Sequence, residues 1–191
     1  MFSRVTIVAS FVRMFGGFDF TEGMAFSKDM PVFGYAHGVP MGGDLISAPD
    51  GKTPTFLLAA SKDPDGANLD RLQIVKGWAD SEGGLHEKVY DVAVSDNREI
   101  KDGRATSNVG STVSLENATY TNTIGDAQFL AFWQDPDFDA NVAAFYYVRV
   151  IEIPTPRWTA FDELRYGFKM DPEVTRVLQE RAYTSPIWYT P

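Results

Sequence analysis

Segments rich in β-branched and aromatic residues recur along the chain, and clusters of Gly, Pro, Asp or Asn bound each of them. Within residues 69–78, Leu72 and Ile74 fall on one face. Arg71 and Gln73 fall on the other, which is the period of a strand with one face in solvent. The segments predicted as strands are residues 4–14, 54–61, 69–78, 87–95, 128–134 and 143–153.

Two of these segments are apolar on both faces, as is typical of strands in the middle of a sheet that is covered on both sides. Residues 128–134 read QFLAFWQ, and residues 143–153 read AAFYYVRVIEI. The intervening DPDFDAN is rich in turn-forming residues, so we expect the two strands to form a hairpin.

Helix signals are concentrated near the C-terminus. Asp171 followed by Pro172 is a good N-cap and first turn, and an apolar stripe follows, so the pattern predicts a short helix over 171–182. Residues 184–191 carry Pro186 and are predicted to be an extended tail or an edge strand. Together these elements predict one all-β, mainly antiparallel β-sandwich domain over residues 1–191, with one short helix.

Composition narrows the classes of partner. The 191 residues include 17 Lys plus Arg and 26 Asp plus Glu, and a net charge of -9 argues against nucleic acid. There is no cysteine, which excludes thiolate metal sites and cysteine nucleophiles. No stretch approaches the ~20 apolar residues of a membrane helix, so no membrane partner is expected. Arg13 interrupts the first apolar run, which argues against a signal peptide; the compartment stays open, and export or a periplasmic location is compatible with the sequence.

Catalytic chemistry is sparse in the sequence. His37 and His86 are the only histidines, and neither has a second histidine at a metal-site spacing. No serine sits in a Gly-flanked elbow, and the glycine pairs lack the pattern of a phosphate loop. We therefore predict no catalytic residue and no cofactor in this chain. For ligand binding, Trp158 and His37 are the candidates, since Trp158 is placed in a predicted loop.

Residues 62–73, KDPDGANLDRLQ, allow two interpretations. Asp63, Asp65, Asn68 and Asp70 are candidate calcium ligands, because calcium accepts varied oxygen geometry. The glycine stands at the wrong place for an EF-hand, whereas Pro64 and the flanking strands suit a tight turn. The turn explains more of the pattern, and calcium remains the alternative.

The chain contains five ordered motifs, which read KDPDGANLDRLQIVKGW, EKVYDVAVS, TYTNTIGDAQFLAFWQDPDFD, FYYVRVIEIPTPRW and ERAYTSPIWYTP. Together they resemble the C-terminal region of a large bacterial domain-of-unknown-function family related to PHP-type, carbaryl-hydrolase-like, metal-dependent hydrolases. The resemblance runs from about Met14 to Pro191.

The resemblance implies a function without catalysis. The metal-binding part of such relatives lies on the N-terminal side of the matched region, so divalent metal is expected only in that missing part. The chain is then expected to be a non-catalytic companion β-domain and a fragment of a longer protein, whose partner is the missing hydrolase domain. Loops 34–46 and 154–162 are expected to face that partner.

Residues 1–13 depart from the pattern of the resemblance and are expected to be a divergent or truncated start. A sheet edge exposed by truncation would favour a homo-oligomer. The alternative function is an independent module that binds carbohydrate, calcium or both.

Overall fold

The computed structural model describes residues 11–191, which form strands with three short helices. Residues 4–10 of the first predicted strand, and the segment considered as a signal peptide up to residue 10, lie outside the described residues. The elements in chain order are β1 Phe11–Gly17, α1 Glu22–Ala25, α2 Met30–His37, β2 Val39–Pro40, β3 Asp44–Ile46, β4 Thr55–Ser61, β5 Leu69–Ala79, β6 Leu85–Val94, β7 Ile100–Lys101, β8 Arg104–Ala105, β9 Gln128–Gln134, β10 Ala144–Glu152, β11 Thr155–Pro156, α3 Trp158–Tyr166, β12 Val177–Leu178, β13 Arg181–Tyr183 and β14 Ile187–Thr190.

Two main sheets make up the domain, which confirms the predicted all-β, mainly antiparallel sandwich. The smaller sheet has the order β2-β1-β4-β9, and the larger has the order β3-β14-β10-β5-β6 with β13 also paired to β10. Only the β14–β3 pair is parallel among the described strand pairs. The hairpin β7–β8 and the two-stranded sheet β11–β12, whose strands are separated by α3, complete the strand pairing. In the described part of the chain, no helix is long and apolar enough to cross a membrane.

The main core lies between the two sheets, because alternate residues of each facing strand point inward. Phe56 of β4 meets Tyr146 of β10 with ring centroids 4.8 Å apart, and both side chains are fully buried. Leu72 and Ile74 of β5 also point into this core, as their shared face predicted. Full burial of such side chains contributes roughly 1.5–3 kcal/mol each.

A second, smaller core covers the other face of the four-stranded sheet. Phe15 and Leu57 point away from the first core and pack with Phe20, Ala25 and Met30 from the α1–α2 region. The packing of α2 on the Phe15 ring requires a glycine at position 34, because a Cβ there would stand 2.4 Å from the ring. The sequence pattern missed both helices, since α1 spans four residues and α2 eight, too few for a clear 3.6-residue period.

The predicted helix over 171–182 is wrong. The short helix near the C-terminus is α3, at Trp158–Tyr166, and residues 177–178 and 181–183 are strands. Asp171 still accepts a hydrogen bond from the N–H of Glu173 (2.9 Å), so the N-cap signal forms a turn without a helix. Pairing of β12 with β11 and of β13 with β10 outweighs the local helix propensity.

The predicted hairpin between residues 128–134 and 143–153 is also wrong. Strand β9 pairs with β4 in the small sheet, whereas β10 pairs with β5 in the large one, so the acidic turn between them crosses from sheet to sheet. Of the two strands, β10 is central as predicted and β9 lies at an edge. Residues 187–190 form a strand as predicted, but β14 lies inside the large sheet, between β3 and β10.

Candidate functional site

The predicted turn in residues 62–73 is confirmed. The N–H of Gly66 donates to the carbonyl of Asp63 (2.9 Å), and the Asp63 carboxylate accepts the N–H of Asp65 (2.8 Å). The Lys62 ammonium donates to the carbonyl oxygens of Asp63, Pro64 and Gly66 at 2.9–3.1 Å. The backbone carbonyl oxygens of this turn are therefore already bound by the Lys62 ammonium.

Asn68 and Asp70 have other partners. The Asn68 amide nitrogen donates to the carbonyls of Ile124 and Gly125, which orients it as a donor rather than as a metal ligand. Asp70 is 1% exposed, and its carboxylate accepts a hydrogen bond from Arg98 (2.6 Å). Across residues 11–191, no group of three or more His, Cys, Asp or Glu side chains is placed to hold a metal ion. The structure does not gather the four calcium candidates around one centre.

Trp158 begins helix α3 instead of lying in a loop, and its ring is 59% exposed. The guanidinium of Arg157 lies 5.7 Å from the ring centroid. The buried side of α3 is made of small residues: Thr159 donates to the carbonyl of Thr175 (2.7 Å), and Ala160 is buried beside it. The large apolar residues that are exposed on α3 or just after it are Trp158, Phe161, Leu164, Tyr166 and Phe168, and Arg165 is exposed among them.

His37 is the last residue of α2 and is exposed. Helix α2 packs on β1 and β2, whereas α3 packs on β11. The two predicted ligand-binding residues therefore belong to different parts of the fold, and the structure does not form one site from them.

The outer face of the large sheet is a surface that single residues did not suggest. Because Tyr146, Val148 and Val150 point into the core, the odd-numbered residues of β10 point outward. We call the outward residues Phe145 to Ile151 of β10, with their cross-strand partners, the outer sheet face. The two-sided apolar pattern of residues 143–153 was the sequence signal for it.

Four rings form the aromatic half of the outer sheet face: Phe145, Tyr147, Tyr183 and Trp188. The Phe145 ring lies 5.4 Å from Trp188 and 6.3 Å from Tyr147, and Tyr147 lies 6.1 Å from Tyr183. Gly77 makes room for this row, since a Cβ there would stand 2.2 Å from Phe145. Tyr183 is 54% and Trp188 49% exposed.

Three arginines form the arginine half of the same face. Ile151 of β10 lies opposite Arg71 of β5 on one side and Arg181 of β13 on the other. Arg149 precedes Ile151 by two residues and donates to the Gln73 side chain (2.7 Å). Burial raises the pKa of the nearby Tyr147, and Glu87 adds to this rise while Arg149 opposes it. Tyr, Trp and Arg are the residues enriched at protein interfaces.

Residues 9–191 match the family described as Protein of unknown function (DUF3604). The chain belongs to this family. The match begins at residue 9, ahead of Met14, where the resemblance was expected to begin. No curated protein and no solved structure matches the chain.

In this DUF3604 chain, a buried ionic cluster joins the two sheets. The Lys76 ammonium of β5 lies 2.6 Å from the carboxylate of Asp135, which follows β9, and both side chains are at most 5% exposed. The Tyr146 hydroxyl donates to the same carboxylate (2.7 Å). Burial raises the pKa of Tyr146, and the negative charge of Asp135 adds to the rise. The buried charges of Lys76 and Asp135 are therefore paired with groups of the same chain.

Asp137 extends this cluster toward solvent. Its carboxylate accepts hydrogen bonds from Lys88 and from Tyr90 (both 2.5 Å), and these bonds lower the pKa of Asp137. Burial, followed by the bond to Asp137, raises the pKa of Tyr90. A cleft of about 600 Å³ opens beside these residues and includes Trp78 and Asp80.

At the rim of this cleft, His86 stacks on the Trp78 ring at 5.2 Å and bonds to Asp80 (2.7 Å). That bond, followed by the bond from the N–H of Gly84, lowers the pKa of Asp80. His86 thus connects the Trp78 ring, on which it stacks, to Asp80 in the turn after β5, to which it is hydrogen-bonded.

Proposed function

We propose that this chain is a non-catalytic companion β-domain that packs against a metal-dependent hydrolase domain of the PHP type. The observation that carries the proposal is the aromatic half of the outer sheet face, where Tyr183 and Trp188 stay about half exposed. Contiguous apolar patches rimmed by polar groups are typical of interaction sites. The five motifs that resemble the C-terminal region of such hydrolases indicate which kind of partner covers the patch.

The composition of the outer sheet face supports a protein partner. Its outward residues combine aromatic rings with arginines, the residue types that dominate binding energy at interfaces. The rings are held in place by packing on Gly77 and on one another, so little side-chain entropy is lost on binding.

Helix α3 supports a second contact with the same partner. Trp158 and Phe161, the first two of its exposed apolar residues, lie within the segment 154–162 that was expected to face the partner, and both are at least half exposed. In this proposal the divalent metal is held by the hydrolase domain, and the companion domain helps to shape the substrate entrance.

A binding experiment tests the proposal. The chain is mixed with the histidine-rich hydrolase part of a longer family member, and complex formation is followed by sedimentation velocity. Tyr183→Ala combined with Trp188→Ala should weaken the complex by about a hundredfold, since interface aromatics often contribute 2 kcal/mol or more. Phe26→Ala, at a ring 57% exposed in the α1–α2 connection, is the matched control and should leave binding unchanged.

Two results would contradict the proposal. One is a double variant that binds as tightly as the parent chain. The other is hydrolysis of esters, phosphoesters or carbamates at enzymatic rates by the purified chain with added divalent metal.

The second candidate function is an independent module that binds carbohydrate, calcium or both. The exposed Trp158 ring, with Arg157 over it, favours stacking on a sugar. Retention on immobilised polysaccharide that is lost in Trp158→Ala would support this function. A melting temperature that does not rise in millimolar calcium, together with no retention, would reject it.

Self-association through an edge strand is a further proposal about partners. Among the described strands, β9 pairs with β4 alone, so its other edge carries unpaired backbone groups. Exposed edges of this kind promote pairing with a second chain. Light scattering should then show a dimer, and a clean monomer at high concentration would contradict the proposal.

A further inference from the structure

The end of β5 that carries Asp70 and Arg71 borders a second cleft. The cleft has a volume of about 450 Å³ and is lined by Asp70 and Arg71, residues 108–111, Pro154 and Gln179. Sites for small molecules commonly have volumes of about 300–1,000 Å³. The cleft is therefore large enough for a small organic ligand.

Asp70 is the buried carboxylate that pairs with both Arg71 and Arg98 at this cleft. The Arg98 guanidinium donates a hydrogen bond to one carboxylate oxygen of Asp70 (2.6 Å), and the Gln179 amide donates to the other (2.9 Å). The Arg71 Nε lies 3.4 Å from that second oxygen and, although buried, donates no hydrogen bond to any group in residues 11–191. The Arg71 guanidinium is thus incompletely paired at the cleft.

Two more arginines lie near Arg71. Arg181 lies on the same face as Arg71, across Ile151, and Arg149 lies one outward position along β10. Three arginines are concentrated here although the whole chain carries a net charge of -9. Arginine is the residue best suited to hold an oxyanion, because its planar fork matches carboxylate and phosphate oxygens.

Neutral donors line the other side of the cleft. The Ser111 hydroxyl oxygen accepts the N–H of Val113 (3.3 Å), which leaves the Ser111 hydroxyl hydrogen to donate. The exposed amide of Asn108 stands in the same loop and adds two donors. We propose that this cleft is an oxyanion-binding site for a small organic acid or phosphate ester, with Arg71 as its cation and Ser111 and Asn108 as its neutral donors.

Arg71 also belongs to the arginine half of the outer sheet face, but anion binding needs no hydrolase domain, so the chain by itself suffices for the test. Isothermal titration calorimetry is run with inorganic phosphate and with citrate, and chloride keeps the ionic strength constant. We expect saturable binding of at least one of them, and the tighter one identifies the ligand group as phosphate or carboxylate. Arg71→Gln should weaken that binding about tenfold or more, as expected for loss of a charge-assisted contact.

Matched variants make the test specific. Lys28→Gln removes the same charge from the exposed α1–α2 connection and should leave binding unchanged. Arg71→Lys keeps the charge without the planar fork and should be intermediate. Ser111→Ala lies in an exposed loop and should weaken binding by about threefold or more while folding normally, which keeps the proposal testable if Arg71→Gln unfolds.

Three results would overturn the proposal. The first is no saturable binding of either anion. The second is equal binding by the parent chain, folded Arg71→Gln and Ser111→Ala. The third is an equal loss in Lys28→Gln, which would show that net charge alone attracts the anion.

Discussion

Strand β5 carries a cation near each end, and the two ends differ in how completely that charge is paired. Lys76 points inward and is 4% exposed, with its ammonium in contact with Asp135 and with the carbonyl of Asp137 (2.8 Å). Arg71 points outward beside Asp70, whose oxygens are already taken by Arg98 and Gln179. Arg71 and Lys76 lie five positions apart on one strand. We call the group of Lys76, Asp135 and Tyr146 the closed cluster, because its ammonium is paired, and the group of Arg71, Asp70 and Arg98 the open cluster, because Arg71 is incompletely paired.

The closed cluster has an architectural role. Asp135 follows β9 of the small sheet and Lys76 belongs to the large sheet, so their contact fixes the crossing between the sheets. Its charges are buried, and a buried charge must be paired to be tolerated. In the open cluster Arg71 is the most exposed member, at 25%, and its incompletely paired guanidinium borders the second cleft, where it is available to a ligand.

The largest expected effect comes from opening the closed cluster. Lys76→Met keeps the apolar stem but leaves Asp135 buried without its cation, which should lower the free energy of unfolding by about 3–5 kcal/mol. Denaturant unfolding followed by tryptophan fluorescence measures this. Adding Asp135→Asn should restore part of the loss, because the uncompensated charge is gone. A single-variant loss below about 1 kcal/mol would refute the closed cluster.

A smaller loss is expected from Arg98→Met at the open cluster. Arg98 also donates to the carbonyls of Ser95 and Ser107 (both 3.0 Å), and the variant should lose about 2–3 kcal/mol. Arg71 already stands beside Asp70 and can replace Arg98, which limits the loss and should also weaken phosphate or citrate binding. The exposed Arg104→Met is the control. A loss equal to that of Lys76→Met would remove the contrast between the clusters.

The Tyr146 hydroxyl sharpens the comparison within the closed cluster. Tyr146→Phe removes one donor to a buried carboxylate and should cost about 1.5–2 kcal/mol in unfolding free energy. Tyr90→Phe serves as the matched variant, because its acceptor Asp137 is 47% exposed and can bond to water instead. If Tyr90→Phe costs more than Tyr146→Phe, burial does not set the strength of these bonds.

The smallest effect is the pH dependence of Asp137. Because Lys88 and Tyr90 lower its pKa from the ordinary value of 3.8, the folded state is stabilised above that value. The stabilisation is lost as the pH falls through the folded pKa. Asp137→Asn should cost at most about 1 kcal/mol at neutral pH, since the group is exposed, and nothing once the carboxyl is protonated. Urea midpoints measured from about pH 7 down to about pH 3 test this, and a constant difference would contradict it.

The local elements were largely predictable from sequence. The turn from Asp63 to Gly66 follows from Pro64 and glycine chemistry, which act within four residues. The alternation in residues 69–78 assigned Leu72 and Ile74 to the core and Arg71 to the outer face. The helix over 171–182 was wrong because pairing with distant strands outweighs its capping signal.

The surfaces were not predictable in the same way. Trp158 was selected as a free aromatic and is exposed, but the aromatic half of the outer sheet face is made of other residues, including Tyr183 and Trp188 from two separate strands. The Asp70 carboxylate was considered as a calcium ligand, although Arg98 and Gln179 hold it in the structure. Their positions in the sequence carry no sign of that contact.

The sequence by itself determined the strand pattern, the β-sandwich class, the acidic charge balance and membership of the DUF3604 family. These properties follow from neighbouring residues, because side-chain alternation and turn chemistry act over a few positions. Only the tertiary structure decided that β9 and β10 separate into two sheets and that Arg71 and Arg181 flank one residue of β10. Those contacts join strands far apart in the chain, and their register depends on how the whole core packs.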